Sequence, residues 1–117
     1  MLLKSKGVRF CLGYAGDMER MGGRNLAFTA GTAAAYGLER EAALQAITLD
    51  AARVLGIDKR YGSLTVGKSA TLFVSTGDAL DMRTNDVTHA FIDGRRIVLD
   101  DHQKMLYRQY RDRYAKP

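Results

Sequence analysis

Apolar residues along the chain are first almost continuous, then fall at helical spacing, then gather in short extended runs. These three regimes predict its elements. Val8 to Tyr14, VRFCLGY, is β-branched, aromatic or apolar at nearly every position except Arg9, the pattern of a strand covered on both faces in a parallel sheet. Gly13 and Gly16 then release the backbone into turn geometry, and the polar, glycine-rich DMERMGGRN reads as a loop at the strand's C-terminal end. Asn25 can cap a helix with the body LAFTAGTAAAYG, closed by Gly37. Its Ala, Gly and Thr content predicts a neighbour packed very close to it. A second helix starts near Glu39, with Glu39 and Glu41 suited to its positive end. Ala43, Ile47, Ala51 and Val54 form one stripe, which Leu44 and Leu55 widen. Thr48 can re-cap the chain midway, splitting the stretch into two short helices before Gly56 stops it.

From Tyr61 the period changes. YGSLTVGKSATLFVST holds two extended runs, Ser63 to Val66 and Ala70 to Ser75, separated by a Gly67-Lys68 turn. VTHAFIDGRRIVL reads as a hairpin over 87–98, whose Asp93-Gly94 pair suits the positive φ angles of a type I′ turn. Asp101 to Tyr114 reads as a helix with Tyr107, Tyr110 and Tyr114 on one face and arginines around them. There are no internal repeats. The order of strand, helices, antiparallel strands and helix gives an α/β class. The first strand is an anomaly, because a parallel-type strand needs parallel neighbours and no later run is an obvious candidate.

Composition narrows this little. With 117 residues, 46% apolar and 26% charged, the chain is an ordinary globular sequence of one domain at most, with a modest core. No apolar run approaches a membrane span, and Lys4, Lys6 and Arg9 interrupt the first segment. MLLKSKG is too short and too polar for a signal peptide. Cys11 is the one cysteine, so no internal disulfide forms; its apolar setting predicts a buried small hydrophobe in a reducing, cytoplasmic compartment. No histidine lies near it in sequence to make it a nucleophile. The net charge of +5 permits an acidic partner, but much of the excess sits in HQKMLYRQYRDRYAKP, where a solvated helix face is the expectation.

Candidate chemistry is sparse. His89 lies on a hairpin arm and His102 begins the last helix, with no HxH or HExxH spacing. Zinc hydrolysis normally uses three protein ligands around an open position, so no metal site is expected within a single copy. Asp78, Asp81 and Asp86 lack EF-hand spacing and its closing Glu. Gly62 to Lys68 is not a phosphate loop, because Gly67-Lys68 follows a strand-like run rather than opening a helix. Ser63 and Ser69 have no paired base.

Taken in order, GVRFCLGYAGD, NLAFTAGTAAAYGLEREAALQAITLDAARVLGI, YGSLTVGKSATLFV and VTHAFIDGRRI resemble the C-terminal end of metal-dependent amidohydrolases, with a likeness to the imidazolonepropionase-like branch. The most specific piece is Thr48-x-x-x-Ala52-x-x-Leu55-Gly56 followed by Gly62-Ser63-Leu64-x-x-Gly67-Lys68-x-Ala70. The resemblance implies three parts. Residues 1–56 would hold the last strand-helix unit of a (β/α)8 barrel, with Val8 to Tyr14 as its eighth strand. Residues 57–100 would give the C-terminal strands of a small β-sandwich, and 101–117 a helix packed back on the body. It also implies a divalent metal such as zinc in a complete member, bound by histidines of earlier strands. An aspartate ending the eighth strand would there take a proton from the metal's water. The family pattern is close to Gly-Val-x-x-x-x-Gly-Thr-Asp. Aligning Gly7, Val8 and Gly13 puts Tyr14 and Ala15 at the Thr and Asp places and displaces the carboxylate to Asp17. Asp17 is therefore either the catalytic carboxylate on a longer loop or a turn residue.

The leading expectation is a C-terminal piece of a hydrolase acting on C–N bonds other than peptide bonds, silent alone. It would be a truncated gene product or one segment of a larger assembly. Its partner would be the missing N-terminal portion or further copies of itself. The alternative is a stand-alone oligomerising module without catalytic activity, pairing through the uncovered faces of 8–14 and 25–37. Nucleic acid is a third possibility through the basic helix, but tyrosines sharing one face are expected to pack inward, so no nucleic-acid partner is expected.

Overall fold

The computed structural model describes residues 2–16 and 19–115. A short helix α1 (Leu2–Ser5) opens the chain, and after an irregular segment a 3-10 stretch (Glu19–Asn25) leads into α2 (Leu26–Ala35). Helices α3 (Arg40–Ile47) and α4 (Leu49–Val54) follow. Glu39 starts α3: its carboxylate accepts from Glu41 N at 2.8 Å and Ala42 N at 2.9 Å, satisfying two amides that a helix start otherwise leaves unpaired. Asn25 makes no such bond to α2. It ends the 3-10 stretch with φ −98° and ψ 4°, away from the extended geometry that side-chain capping uses. The chain does break at Thr48, between α3 and α4, yet the Thr48 hydroxyl donates back to Leu44 O at 2.7 Å instead of capping α4.

Small residues build the core. Ala30, Ala42, Ala43, Leu38 and Leu80 are its buried members, with Phe10, Leu12, Leu44 and Ile47 packed half-buried on them. Alanine faces let α2 and α3 approach closely, and Gly31 lets the Leu80 backbone lie on α2. Leu80 arrives on the loop between the first two strands. Asp78 fixes that loop, accepting from Leu80 N at 2.9 Å and pairing with Arg40.

The sheet is antiparallel and three-stranded, in the order β1 (Leu72–Ser75), β2 (Val87–Ile92), β3 (Arg95–Arg96). Leu72 faces Phe91 and Val74 faces His89, with an irregularity after Val74. Asp93 (φ 47°) and Gly94 (φ 78°) make the positive-φ turn that the sequence predicts. Its tip is tied down: Ser69 and Tyr61 hydroxyls donate to the Asp93 carboxylate, and Gly94 N donates to Ala70 O at 3.0 Å.

Several expectations are corrected. Val8 to Tyr14 is not a strand; among the described residues one backbone bond, Leu12 N to Ala46 O at 3.0 Å, ties residues 9–16 to the rest. A covered-both-sides strand cannot form a ladder without neighbours, and Cys11, expected to be buried, is exposed for the same reason. Ser63 to Val66 is irregular rather than a strand, framed by Gly62 (φ 89°) and Gly67 (φ 90°), with a turn at Val66-Gly67 closed by Lys68 N to Thr65 O at 3.1 Å. The glycine-rich loop after residue 18 winds into 3-10 turns, and the hairpin's second arm is only two residues long. Among the described residues there is neither a closed barrel nor a second sheet.

Helix α5 (His102–Tyr114) starts on Asp101, which accepts from Lys104 N at 2.8 Å, and is braced by Arg108 on Asp100 at 2.7 Å. Among the described residues it packs on no other helix or strand. Its tyrosines, expected to turn inward, are 46–75% exposed. The whole chain is drawn out to 62 × 34 × 31 Å, with a radius of gyration of 17.3 Å against about 13 Å for a compact domain of this length. It exposes 9396 Å², about 3,000 Å² more than a folded monomer of its mass.

Candidate functional site

The loop in which the sequence sets the candidate carboxylate Asp17 is held at its start by Tyr14. The Tyr14 hydroxyl lies 2.8 Å from Thr29 Oγ1 on α2, and that threonine donates to Asn25 O at 3.2 Å. The Tyr14 ring covers Gly22, where a Cβ would meet Cε1 at 3.2 Å. The pair therefore fixes where residues 14–16 leave the helical layer. Ala15 is exposed, and Asp17 lies outside the described residues.

Metal donors do not converge. His89 stands exposed on β2 with Nδ1 3.1 Å from Thr88 Oγ1, and His102 opens α5. Among the described residues no three His, Cys, Asp or Glu side chains sit together as a ligand set. The donors among the described residues therefore do not fit a divalent ion. Asp78, Asp81 and Asp86 are already engaged: Asp78 on Arg40 of α3 and on Leu80 N, Asp81 on Arg83 N at 2.9 Å, Asp86 on Thr76 Oγ1 at 3.2 Å. Ser69 serves the hairpin tip, and Ser63 shares a bond with Thr65 at 3.1 Å.

Electrostatic perturbation is likewise structural. Arg108, donating to Asp100, holds that carboxyl below its ordinary value and is itself raised by it. The Glu41 and Ala42 amides, with Lys4 nearby, hold Glu39 low, and Arg83 N does the same for Asp81. None of these groups lies at residues 14–16.

What the fold does present is an apolar groove of about 620 Å³ between α3–α4 and β1. Ile47, Ala51, Leu55, Tyr61, Leu64 and Phe73 line it, and no charged side chain does. Its floor is set by Gly62, where a Cβ would meet Ala52 Cβ at 2.7 Å and Leu49 Cα at 2.9 Å. Sequence reasoning places Leu55 on an apolar stripe and Leu64 in a strand, and so misses that the two flank one cleft. The signal lies in the glycines on either side of SLTV, which argue for a turn over a strand.

The profile of the Amidohydrolase family matches residues 1–97. Among solved structures, an amidohydrolase from Thermotoga maritima MSB8 is 32% identical with a TM-score of 0.72, over 82% of this chain and 24% of that one. An adenosine deaminase from Xanthomonas campestris, with bound zinc, is 27% identical with a TM-score of 0.56, over 95% of this chain and 32% of that one. The chain thus spans about a quarter to a third of the length of these relatives. No curated protein matches it. Among the described residues, no helix is long and apolar enough to cross a membrane.

Proposed function

This chain belongs to the amidohydrolase family, and from that premise we propose that it forms the C-terminal segment of a cytoplasmic hydrolase acting on C–N bonds other than peptide bonds, in the imidazolonepropionase-like branch. Val8 to Tyr14 then supplies the eighth barrel strand, α2 to α4 the helices after it, and the sheet the C-terminal share of a β-sandwich. One observation carries the reading: a family match over residues 1–97 belongs to a chain whose unladdered segment, apolar groove and tyrosine face all lack a covering surface. In the assembled enzyme Asp17 is the carboxylate assigned to proton transfer, two residues beyond the family position at Ala15. The isolated chain is silent, because its described donors assemble no ligand set.

The test is to produce the chain alone and together with the N-terminal three-quarters of the Thermotoga maritima relative. Alone, elemental analysis finds far less than one zinc per chain and no hydrolysis. Together, the two polypeptides co-purify. Stoichiometric zinc in the isolated chain, or failure of the two to associate, overturns the proposal.

A second reading is favoured by the surface surplus. About 3,000 Å² of excess exposure is several times the roughly 800 Å² that each partner contributes to a stable dimer. A polypeptide of these residues alone therefore self-associates.

A further inference from the structure

We infer that two copies of this chain pair across the α4–β1 groove, the Leu64–Val66 tip of each seated in the groove of the other. This rests on the self-association reading above and adds the surface that carries it. The groove supplies the hole: about 620 Å³, apolar, bounded by Leu55 and Phe73. The knob stands on its rim: Leu64, itself part of the lining, is 83% exposed, and Val66, at the turn that follows, is 103% exposed.

The tip is closed on itself: Lys68 N donates to Thr65 O at 3.1 Å, and Ser63 Oγ lies 3.1 Å from Thr65 Oγ1. A tip closed in this way has less conformational freedom to lose on docking, which favours association. A knob next to its own hole suits a two-fold pair, since contact of the tip with the groove is then repeated with the copies exchanged. It does not suit a polar or charged ligand, because the lining offers no charge to pair with.

Charge also permits the pairing. The chain carries +5, which would oppose self-association if concentrated at the contact. Four of its basic residues, Lys104, Arg108, Arg111 and Arg113, lie on α5 instead, and neither the lining nor the Leu64-Thr65-Val66 tip adds any. Beyond a Debye length of roughly 8 Å at physiological salt, such charges act weakly on one another.

The experiment is sedimentation over a range of concentrations for the wild-type chain and for Val66→Lys, Leu55→Lys and Val98→Lys. Val66 and Val98 are both almost fully exposed, so neither substitution disturbs packing within the protomer, and circular dichroism checks this. The wild type is expected to reach a dimer. Val66→Lys and Leu55→Lys are expected to raise the dimer Kd by at least about thirty-fold, the effect of losing a central apolar contact, while Val98→Lys leaves it unchanged. A wild type that stays monomeric throughout overturns the self-association reading and this inference together. A dimer that tolerates Val66→Lys and Leu55→Lys, or that Val98→Lys weakens equally, overturns only the groove assignment.

Discussion

Gly31→Ala should destabilise this protein, although alanine is the better helix former. Gly31 lies inside α2, where the substitution gains about 1 kcal/mol from reduced backbone freedom in the unfolded chain. Against that stands the Leu80 loop. A Cβ at position 31 would land on the Leu80 carbonyl oxygen, with the carbonyl carbon at 3.0 Å and Leu80 Cβ at 3.4 Å. The obstacle is backbone, which cannot turn aside as a side chain can. The loop must then lift from α2, and Leu80, only 7% exposed, comes partly out of the core. Overpacking of this kind costs about 1–3 kcal/mol, and losing most of the burial of a leucine costs a similar amount. The upper end of that range less the helix gain leaves about 2 kcal/mol of net destabilisation, or a fall in Tm of roughly 10 °C.

Thermal and urea denaturation followed by helical circular dichroism read this directly. The sign decides it. A Gly31→Ala chain more stable than wild type by about 1 kcal/mol would show only the propensity term and would refute the packing of the 76–86 loop on α2. A double-mutant cycle sharpens the test. In a Leu80→Ala background the loop is released from the core, so Gly31→Ala should cost less there, with a coupling of about 1 kcal/mol between the two sites.

Gly94→Ala should cost about 1 kcal/mol, from left-handed backbone alone, because nothing lies within 4 Å of a Cβ there. Gly62→Ala, at a similar φ, should cost about 1–3 kcal/mol more, because Ala52 and Leu49 block its Cβ; equal urea midpoints for the two variants would refute the close seat of residue 62 on α4. Glu39, Asp81 and Asp100 are all held below their ordinary carboxyl values, so their stabilisation is complete at neutral pH and is lost as the pH falls through each lowered value. Stability should therefore decline below the ordinary values of 4.5 for Glu39 and 3.8 for the aspartates, and Glu39→Ala should lower Tm at pH 7 while flattening the acid limb; an unchanged acid limb would refute the Glu39 cap.

Features fixed by local chemistry are legible in the sequence. The break at Thr48, the stop at Gly56 and the Asp93-Gly94 turn each depend on a few neighbouring residues, and each stands where the pattern puts it. The misread elements are of another kind. VRFCLGY has the composition of a buried strand, but a strand is defined by its ladder, and among the described residues its one longer-range backbone bond goes to Ala46 of a helix. The three tyrosines of α5 share a face that periodicity finds correctly, but periodicity cannot supply a surface for that face to meet. Leu80 is missed from the opposite direction. It is a core residue set in the acidic run GDALDM, and only the Asp78 turn, closed on Leu80 N at 2.9 Å, aims it inward.

The misreadings other than Leu80 share a cause. Cys11 in the exposed segment, the tyrosine face and the open side of α4 are apolar or aromatic by sequence and uncovered in the structure. A sequence records the surroundings its side chains were selected for, since burying apolar area is the main favourable term in folding. The chain exposes about 3,000 Å² more than a folded monomer of its mass, and these apolar and aromatic faces are part of that surplus. Under the proposed function that surface meets the rest of a complete enzyme, and under the pairing inferred above a second copy covers the charge-free groove. The two uses compete for the same apolar area. Adding the N-terminal portion of the Thermotoga maritima relative should therefore dissociate the homodimer, and a ternary species holding two copies of this chain with their grooves still paired would show that the faces are separate.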